Sequence, residues 1–452
     1  MNKPGLSEQQ IISRIERLPV SRWYARILGT VAVAHFFDAF DSLTIAFILP
    51  VLVGLWKINP SEIGLLISAG FAGQLIGALA LGWAAEKYGR RRVLQVSLII
   101  IALFSAACAL AWSYTSLLGF RALQGIGLGA EVPVAATYLN EFTRAAYRGR
   151  FLLLLQWMFA IGVAVTSAVA TWLVPAFGWQ SMFWLGVLPA VLALGLRWLI
   201  PESPRWLAGQ GRLAEADEAL SSIEAQVEKV SELPSREAAV PTVSHERAGW
   251  KDLFEGIYLR RTFCAWTIAF CTSFIGYGLI TWLPTIFRTV YQLPVDQALR
   301  YGLIINLIGL AGPLVCMLLI DTLGRRGSFV IAFLGGGLCM LGLWYIGAGR
   351  TPTEVLILGA IAYFFLAFLL TGVYVYIPET YPTRMRALGT GTASSFLRIA
   401  SIVGPTIVGF TLSNSNVGIV FLMFGLVSLF GAVVVALFTV ETRGKILEVV
   451  SP

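Results

Sequence analysis

Asp38 and Asp41 stand three residues apart inside the first long apolar stretch of a 452-residue chain that is 57% hydrophobic. A carboxylate at bilayer depth costs about 2.5–3.5 kcal/mol on insertion scales, so such a group normally faces a cavity and serves a purpose there. Four other side chains of histidine or strongly ionisable type lie equally deep in apolar runs: His35, Arg121, Glu131 and Arg398. Carboxylates and an imidazole can take up and release protons, whereas a guanidinium keeps its charge and offers a planar fork to a carboxylate. These six residues are where chemistry is expected.

Spacing sets what each can reach. His35, Asp38 and Asp41 recur every third residue and are expected along one helical face. For the two aspartates both substrate binding and proton handling stay open; His35 belongs either to a proton path or to a hydrogen-bonded structural role. Arg121, Gln124, Leu128 and Glu131 fall on a stripe about 80° wide at roughly 100° per residue. Arg121 is expected to pair with a carboxylate of the first span, and Glu131 to be a proton site or the structural partner of Arg121. Phe37, Phe40, Trp157, Tyr277, Trp282, Phe364, Phe368 and Tyr374 lie on segments expected to border one cavity. A subset of them could stack on a flat ring, the rest serving as packing or lipid contacts.

The elements that must position these groups are transmembrane helices. Only 13% of residues are charged, and apolar runs of about 20 residues recur along nearly the whole chain. This predicts an all-α polytopic membrane protein with twelve transmembrane helices in two six-helix bundles, centred near residues 38, 74, 103, 128, 162, 190, 275, 310, 337, 365, 399 and 428. The net charge of +8 is not a nucleic-acid signature here, because Lys and Arg cluster in alternate short loops. Lys57, Arg288, Arg300 and Arg350 are the basic residues assigned to the other side, which predicts both termini in the cytoplasm. Residues 1–25, a cytoplasmic amphipathic N-terminus, are too polar for a leader, and residues 7–25 read as a helix on the inner leaflet. The five cysteines sit in or beside apolar runs without metal-type spacing, so packing thiols are expected and neither metal nor cofactor.

The only long hydrophilic stretch, residues 201–260, separates a first bundle (26–200) from a second (261–440), with a tail at 441–452. Glu86, Gly89 and Arg90 recur as Asp321, Gly324 and Arg325 at one constant offset. Glu141 and Arg148 recur as Glu379 and Arg386, and Pro201-Glu202-Ser203 has a weaker echo in Val440-Glu441-Thr442. A duplication of this kind implies two bundles about a pseudo-two-fold axis along the membrane normal, with ligand held at the midplane and access alternated by rocking.

The stretch Gly82-Trp-Ala-Ala-Glu86-Lys-Tyr-Gly89-Arg90-Arg91-Arg92 resembles the loop signature of the major facilitator superfamily. Gly82 would let helices approach, and the charged members would gate the conformational change. The second copy carries Met317 at the position of the leading glycine. Pro201-Glu-Ser-Pro-Arg205-Trp206 and Pro378-Glu379-Thr380-Tyr-Pro382-Thr-Arg384 are similar to the sugar porter, organic-ion transporter and synaptic-vesicle-protein branch. Gly127-Leu-Gly-Ala-Glu131-Val-Pro133 with Phe177-Gly178-Trp179-Gln180 most resembles the bacterial niacin transporters, over about residues 15–445. Phe270 to Trp282 lacks the paired glutamines with which sugar porters hold hydroxyls, which disfavours a hexose. Arg398 stands where organic-anion transporters carry arginine and their cation-transporting relatives aspartate.

The resemblance implies a monomeric inner-membrane transporter importing nicotinate or a related aromatic monocarboxylate with a proton. Two alternatives are an organic cation or drug transporter, for which the buried acids would bind substrate, and a non-transporting receptor. Enzyme chemistry has no support, since no paired nucleophile and base or phosphate-cradling loop is present.

Overall fold

The computed structural model describes residues 7–19, 21–143, 148–228, 249–346 and 351–443. A short α1 (Glu8–Arg17) precedes the first bundle: α2 (Arg22–Trp56), α3 (Pro60–Tyr88), α4 (Arg90–Ala109), α5 (Tyr114–Phe142), α6 (Arg148–Phe177) and the pair α7 (Gln180–Leu185) and α8 (Pro189–Leu199). Helices α9 (Pro204–Gly209) and α10 (Leu213–Glu228) and a 3₁₀ turn (Trp250–Phe254) follow. The second bundle comprises α11 (Gly256–Thr289), the pair α12 (Val295–Gly309) and α13 (Ala311–Leu323), α14 (Arg325–Ile346), α15 (Pro352–Glu379), α16 (Thr383–Asn414) and α17 (Val417–Phe438).

Among the described residues, ten segments are long and apolar enough to cross a bilayer. The other two expected crossings are α5, whose Arg121, Gln124 and Glu131 dilute its apolar character, and the α7–α8 pair, interrupted at residues 186–188. Helix starts follow local chemistry. The Asn59 side chain accepts from the Glu62 N–H while Glu62 accepts from the Asn59 N–H, with Pro60 in the first turn; Thr351, Pro352 and Glu354 repeat the device at α15.

The tightest seam in the first bundle joins α3 to α5, where Gly70, Gly73 and Gly77 face Gly125 and Gly129. A Cβ added at Gly125 would overlap the Gly70 carbonyl oxygen, and backbone against backbone cannot relax by rotating a side chain. Gly125→Ala should therefore cost about 1–3 kcal/mol, read as a lowered Tm of the purified protein; an unchanged Tm would show that the helices can part freely. The close-approach role expected of Gly82 is not borne out, because a Cβ there meets open space. Close packing falls one to two turns earlier, where α3 actually crosses α5.

The bundles meet at the end away from the termini. Ser68 donates to the Ile402 carbonyl (2.7 Å) and lies 2.6 Å from the Thr406 hydroxyl; Ser61 and Ser413 pair at 2.9 Å. Gly64 and Gly409 face each other where α3 crosses α16.

At the opposite end the sequence predicts α1 on lipid, and the structure corrects this. Ile11, Ile15 and Leu18 are fully buried in protein, and Arg14 holds Asp217 at 2.5 Å and Glu224 at 2.7 Å on α10. Arg17 reaches Glu224 at 2.6 Å, and Glu16 holds Arg205 of α9 at 2.6 Å. The amphipathic pattern is the same for lipid and for a protein groove, so periodicity alone could not choose. Burial pushes the Glu224 carboxyl up, but the hydrogen bonds from Arg14 and Arg17 outweigh it and hold it below the usual range. A depressed folded pKa gives stability that is present above the unfolded value of about 4.3 and is lost as pH falls through the folded one. Acidification below about pH 4 is thus expected to release α1, seen as faster hydrogen exchange at residues 8–17; protection unchanged into that range would reject the Glu224 anchor.

Candidate functional site

Helices of both halves border a cavity of about 80 Å³ at the level of the buried charges. Asp38, His35 and Ser42 of α2, Gln74 of α3, Tyr277 of α11 and Arg398 of α16 line it, and Phe71, Tyr363 and Tyr374 add aromatic wall. Phe71 meets Tyr277 edge to face, with ring centroids 5.0 Å apart.

The six residues of buried charge separate into three groups. In the first, His35 Nδ1 lies 2.8 Å from Glu131 Oε2, both side chains fully buried, and Phe159 packs its ring on the imidazole at 5.4 Å. Asp38 completes this group: one donor atom from each of His35, Asp38 and Glu131 falls within 4.8 Å of the others. Among the described residues, His35 Nε2, Asp38 Oδ1 and Glu131 Oε1 have no hydrogen-bond partner. No metal-type spacing was legible in the sequence, yet the fold assembles three potential donors from two helices. Glu131 is here the partner of His35, not of Arg121.

Asp41 forms a second group facing away from the cavity. Its Oδ1 accepts from Gln124 Nε2 (3.0 Å) and Ser105 Oγ (3.3 Å). Residues three apart on a 3.6-residue helix fall behind by about 60° per step, so Asp41 stands about 120° round from His35. The single face expected for all three residues is thus split. Arg121 does not form the expected ion pair with a carboxylate of α2: its Nη1 donates to the Asp41 carbonyl (3.0 Å) and to Gln124 Oε1 (2.7 Å), and Nη2 to the Ser42 carbonyl (3.5 Å). Gln124 relays the guanidinium to the Asp41 carboxylate.

Arg398 is the third group. Nη1 donates to Gln74 Oε1 (3.1 Å) and Nη2 to the Gly129 carbonyl (3.3 Å), both in the first bundle, while Gln74 Nε2 donates to Ser42 Oγ (3.0 Å). Of the aromatics, Tyr277 and Tyr374 line the cavity. Trp157, Trp282, Phe364 and Phe368 stand outside its lining: Trp282 donates to the Pro405 carbonyl at 3.1 Å, and Phe364 packs on Phe365. Gln74, Phe71 and Tyr363 were missed, though the rule that singled out buried acids, a polar group at bilayer depth, would also have found Gln74.

The repeated loop signatures become two matching charge clusters at the terminus-bearing end. Arg90 binds Glu86 (2.9 Å) and Glu141 (3.0 Å); Arg325 binds Asp321 (2.6 Å) and Glu379 (2.9 Å). Gly89 and Gly324 take φ of 103° and 80°, which frees the following N–H groups to point at one carboxylate. Glu202 accepts from Arg90 and Arg91 N–H (3.0 and 3.1 Å), and Glu441 from Arg325 and Arg326 N–H (2.9 and 3.1 Å). Each carboxylate thereby caps the start of α4 or α14, where the helix dipole favours negative charge. Burial opposes ionisation of Glu441, yet these donors hold it below the usual carboxylate range. The weak echo of residues 201–203 in 440–442 is structurally full. A matching pair went unnoticed: Tyr138 donates to the Pro201 carbonyl (2.7 Å), and Tyr376 accepts from the Val440 N–H (3.2 Å). Arg386 donates to the Pro378 carbonyl (3.1 Å), while the Arg148 side chain lies outside the described residues.

Two duplicated helical bundles around a shared polar and aromatic cavity define a membrane transporter of the major facilitator fold, not an enzyme. A family profile described as "Sugar (and other) transporter" matches residues 31–452. The chain belongs to that family and is a multi-pass protein of the bacterial inner-membrane type that moves a small molecule. It is 35% identical over 442 residues to the niacin transporter NiaP of Acinetobacter baylyi, covering 97% of this chain and 99% of that one. It is 30% identical over 415 residues to a gallate transporter of Pseudomonas putida, with 91% of each covered. Among solved structures, the partially occluded inward-open xylose transporter XylE from E. coli superposes with a TM-score of 0.76 at 20% identity, over 94% of this chain and all of that one.

Proposed function

We propose that the protein imports nicotinate or a closely related aromatic monocarboxylate together with a proton, by rocking of the two bundles. The observation that carries this reading is Arg398 in the wall of a cavity that also presents Asp38, Tyr277 and Tyr374. Among the described residues, the Arg398 guanidinium donates to neutral acceptors, the Gln74 amide and the Gly129 carbonyl, which an anion can replace. The aromatic wall suits a flat ring. Relatives named for niacin and for gallate, both ring-bearing acids, point the same way.

Energetics argues for a proton. Bringing one anion into a negative interior costs about 2.3 kcal/mol per 100 mV, whereas an anion with a proton crosses without net charge. The His35–Asp38–Glu131 cluster is the proposed proton carrier, since it borders the cavity and holds three unpartnered polar atoms. A substrate carboxylate at Arg398 would displace the Gln74 and Gly129 oxygens, loosening a direct link between bundles. The clusters around Arg90 and Arg325 would then break and re-form as the bundles rock, with both termini on the cytoplasmic side.

Uptake of labelled nicotinate into proteoliposomes, with and without an inward proton gradient, tests this. Gradient-driven accumulation above the external concentration is expected. Entry that ignores the gradient would remove the proton, and no entry would reject nicotinate. Inhibition by gallate or 4-hydroxybenzoate, but not by organic cations, is expected; the opposite pattern would turn the buried acids into the substrate site.

A further inference from the structure

A second cavity, of about 440 Å³, opens at the terminus-bearing end where α2, α4, α8 and α10 come together. Arg26, Arg91, Arg92 and Arg212 line it, with Trp198 at its rim. Its carboxylates are largely committed. Glu202 is taken by the N–H groups that start α4, and Glu215 is paired with Arg212 at 2.5 Å. Glu218 remains, exposed at the edge. Among the described residues, the Arg91 and Arg92 side chains make no hydrogen bond or ion pair, so the four arginines outnumber the three carboxylates and two guanidinium groups stay open to an anion.

The surface below the cavity indicates what fills it. On α4, Arg92 heads an exposed stripe of Val96, Ile99 and Leu103, which recur at helical spacing along one face. On α8, Trp198 heads a second stripe of Leu194 and Val191, each more than two-thirds exposed. The two helices are tied side by side by Gln95 Nε2 donating to the Ala193 carbonyl at 3.0 Å. Two apolar stripes thus run out of the membrane-facing surface and end together at a basic pocket rimmed by tryptophan, the residue that marks the bilayer interface. Both stripes face the bilayer, so a pocket continuous with them is open to a molecule that arrives from the membrane.

We propose that this pocket binds the phosphate of an anionic glycerophospholipid, with its acyl chains lying along the α4 and α8 stripes. Arg91 and Arg92 supply the charge, and Trp198 sits at glycerol level. The site is built from α4, immediately beyond Arg90, and from the α9–α10 segment, so a lipid there touches the Arg90 cluster's supporting elements while leaving its ion pairs intact.

Native mass spectrometry of the full chain, titrated with phosphatidylglycerol, phosphatidylcholine or inorganic phosphate, tests it. One phosphatidylglycerol is expected to bind well ahead of phosphatidylcholine, and Arg91→Gln/Arg92→Gln to weaken that molecule about thirtyfold. Lys251→Gln, which removes a distant exposed charge, is expected to leave binding alone, and Arg91→Lys/Arg92→Lys to preserve most of it. Trp198→Ala, at a position more than two-thirds exposed, should weaken phosphatidylglycerol while sparing both arginines. Equal binding of the two lipids, or equal binding by the glutamine variant, would overturn the proposal. So would inorganic phosphate displacing phosphatidylglycerol at comparable concentration, which would assign the pocket to soluble phosphate esters.

Discussion

Arg398→Ala is expected to lower the efficiency of aromatic carboxylate uptake roughly 30- to 5,000-fold, because truncating one partner of a desolvated, hydrogen-bonded charge pair costs about 2–5 kcal/mol. The guanidinium lines the cavity, and its present acceptors are neutral oxygens of Gln74 and Gly129. A carboxylate replacing them gains charge-assisted bonds that a neutral amide cannot match. Arg398→Lys keeps the charge but loses the fork, and should fall between native and alanine. Both variants also lose the link to the first bundle, so stability must be read separately. Tm in the absence of substrate reports the lost link, whereas the Tm gain on adding nicotinate reports binding. Near-native uptake by Arg398→Ala, or an undiminished nicotinate-induced Tm gain, would remove Arg398 from the substrate site.

Asp38→Asn is expected to abolish gradient-driven accumulation, by at least about tenfold, while leaving exchange of internal for external substrate measurable. Asparagine fills the same space and cannot carry the proton. Asp38 borders the cavity, and its Oδ1 has no donor in a group shared with His35 and Glu131. Exchange needs only binding and rocking, whereas accumulation needs a proton moved on each cycle. Asp41→Asn serves as the contrast. Asp41 turns toward Ser105 and Gln124 and does not line the cavity, and an amide oxygen can still accept from Gln124. It should therefore retain accumulation. If Asp38→Asn accumulated substrate normally and Asp41→Asn did not, the proton path would run through the Arg121–Gln124 network instead.

The two aspartates of α2 have different surroundings, one beside the cavity and one behind it. His35, Asp38 and Glu131 are packed against Phe159 beside the cavity, where one proton can be shared among three polar atoms. Asp41 Oδ1 is held at the α4–α5 interface by two neighbours, Ser105 and Gln124, with Gly186 leaving room where α7 ends.

Most of the fold was legible in the residues. Apolar runs, the placement of Lys and Arg and the constant offset between Glu86 and Asp321 are properties of composition and order, and they specify a duplicated helical membrane body before any contact is known. The identity of the buried polar residues was legible for the same reason, since burying a charge is costly wherever it occurs. What the residues did not specify is who faces whom. Whether Asp41 points to the cavity or to Ser105, whether Glu131 meets Arg121 or His35, and whether α1 lies on lipid or on α10 depend on the rotation and crossing of helices distant in sequence. That rotation is set by close backbone approach, as along the Gly73–Gly125 seam, and by the sum of many small contacts. Helical periodicity places a side chain on a face; only tertiary packing decides what that face meets.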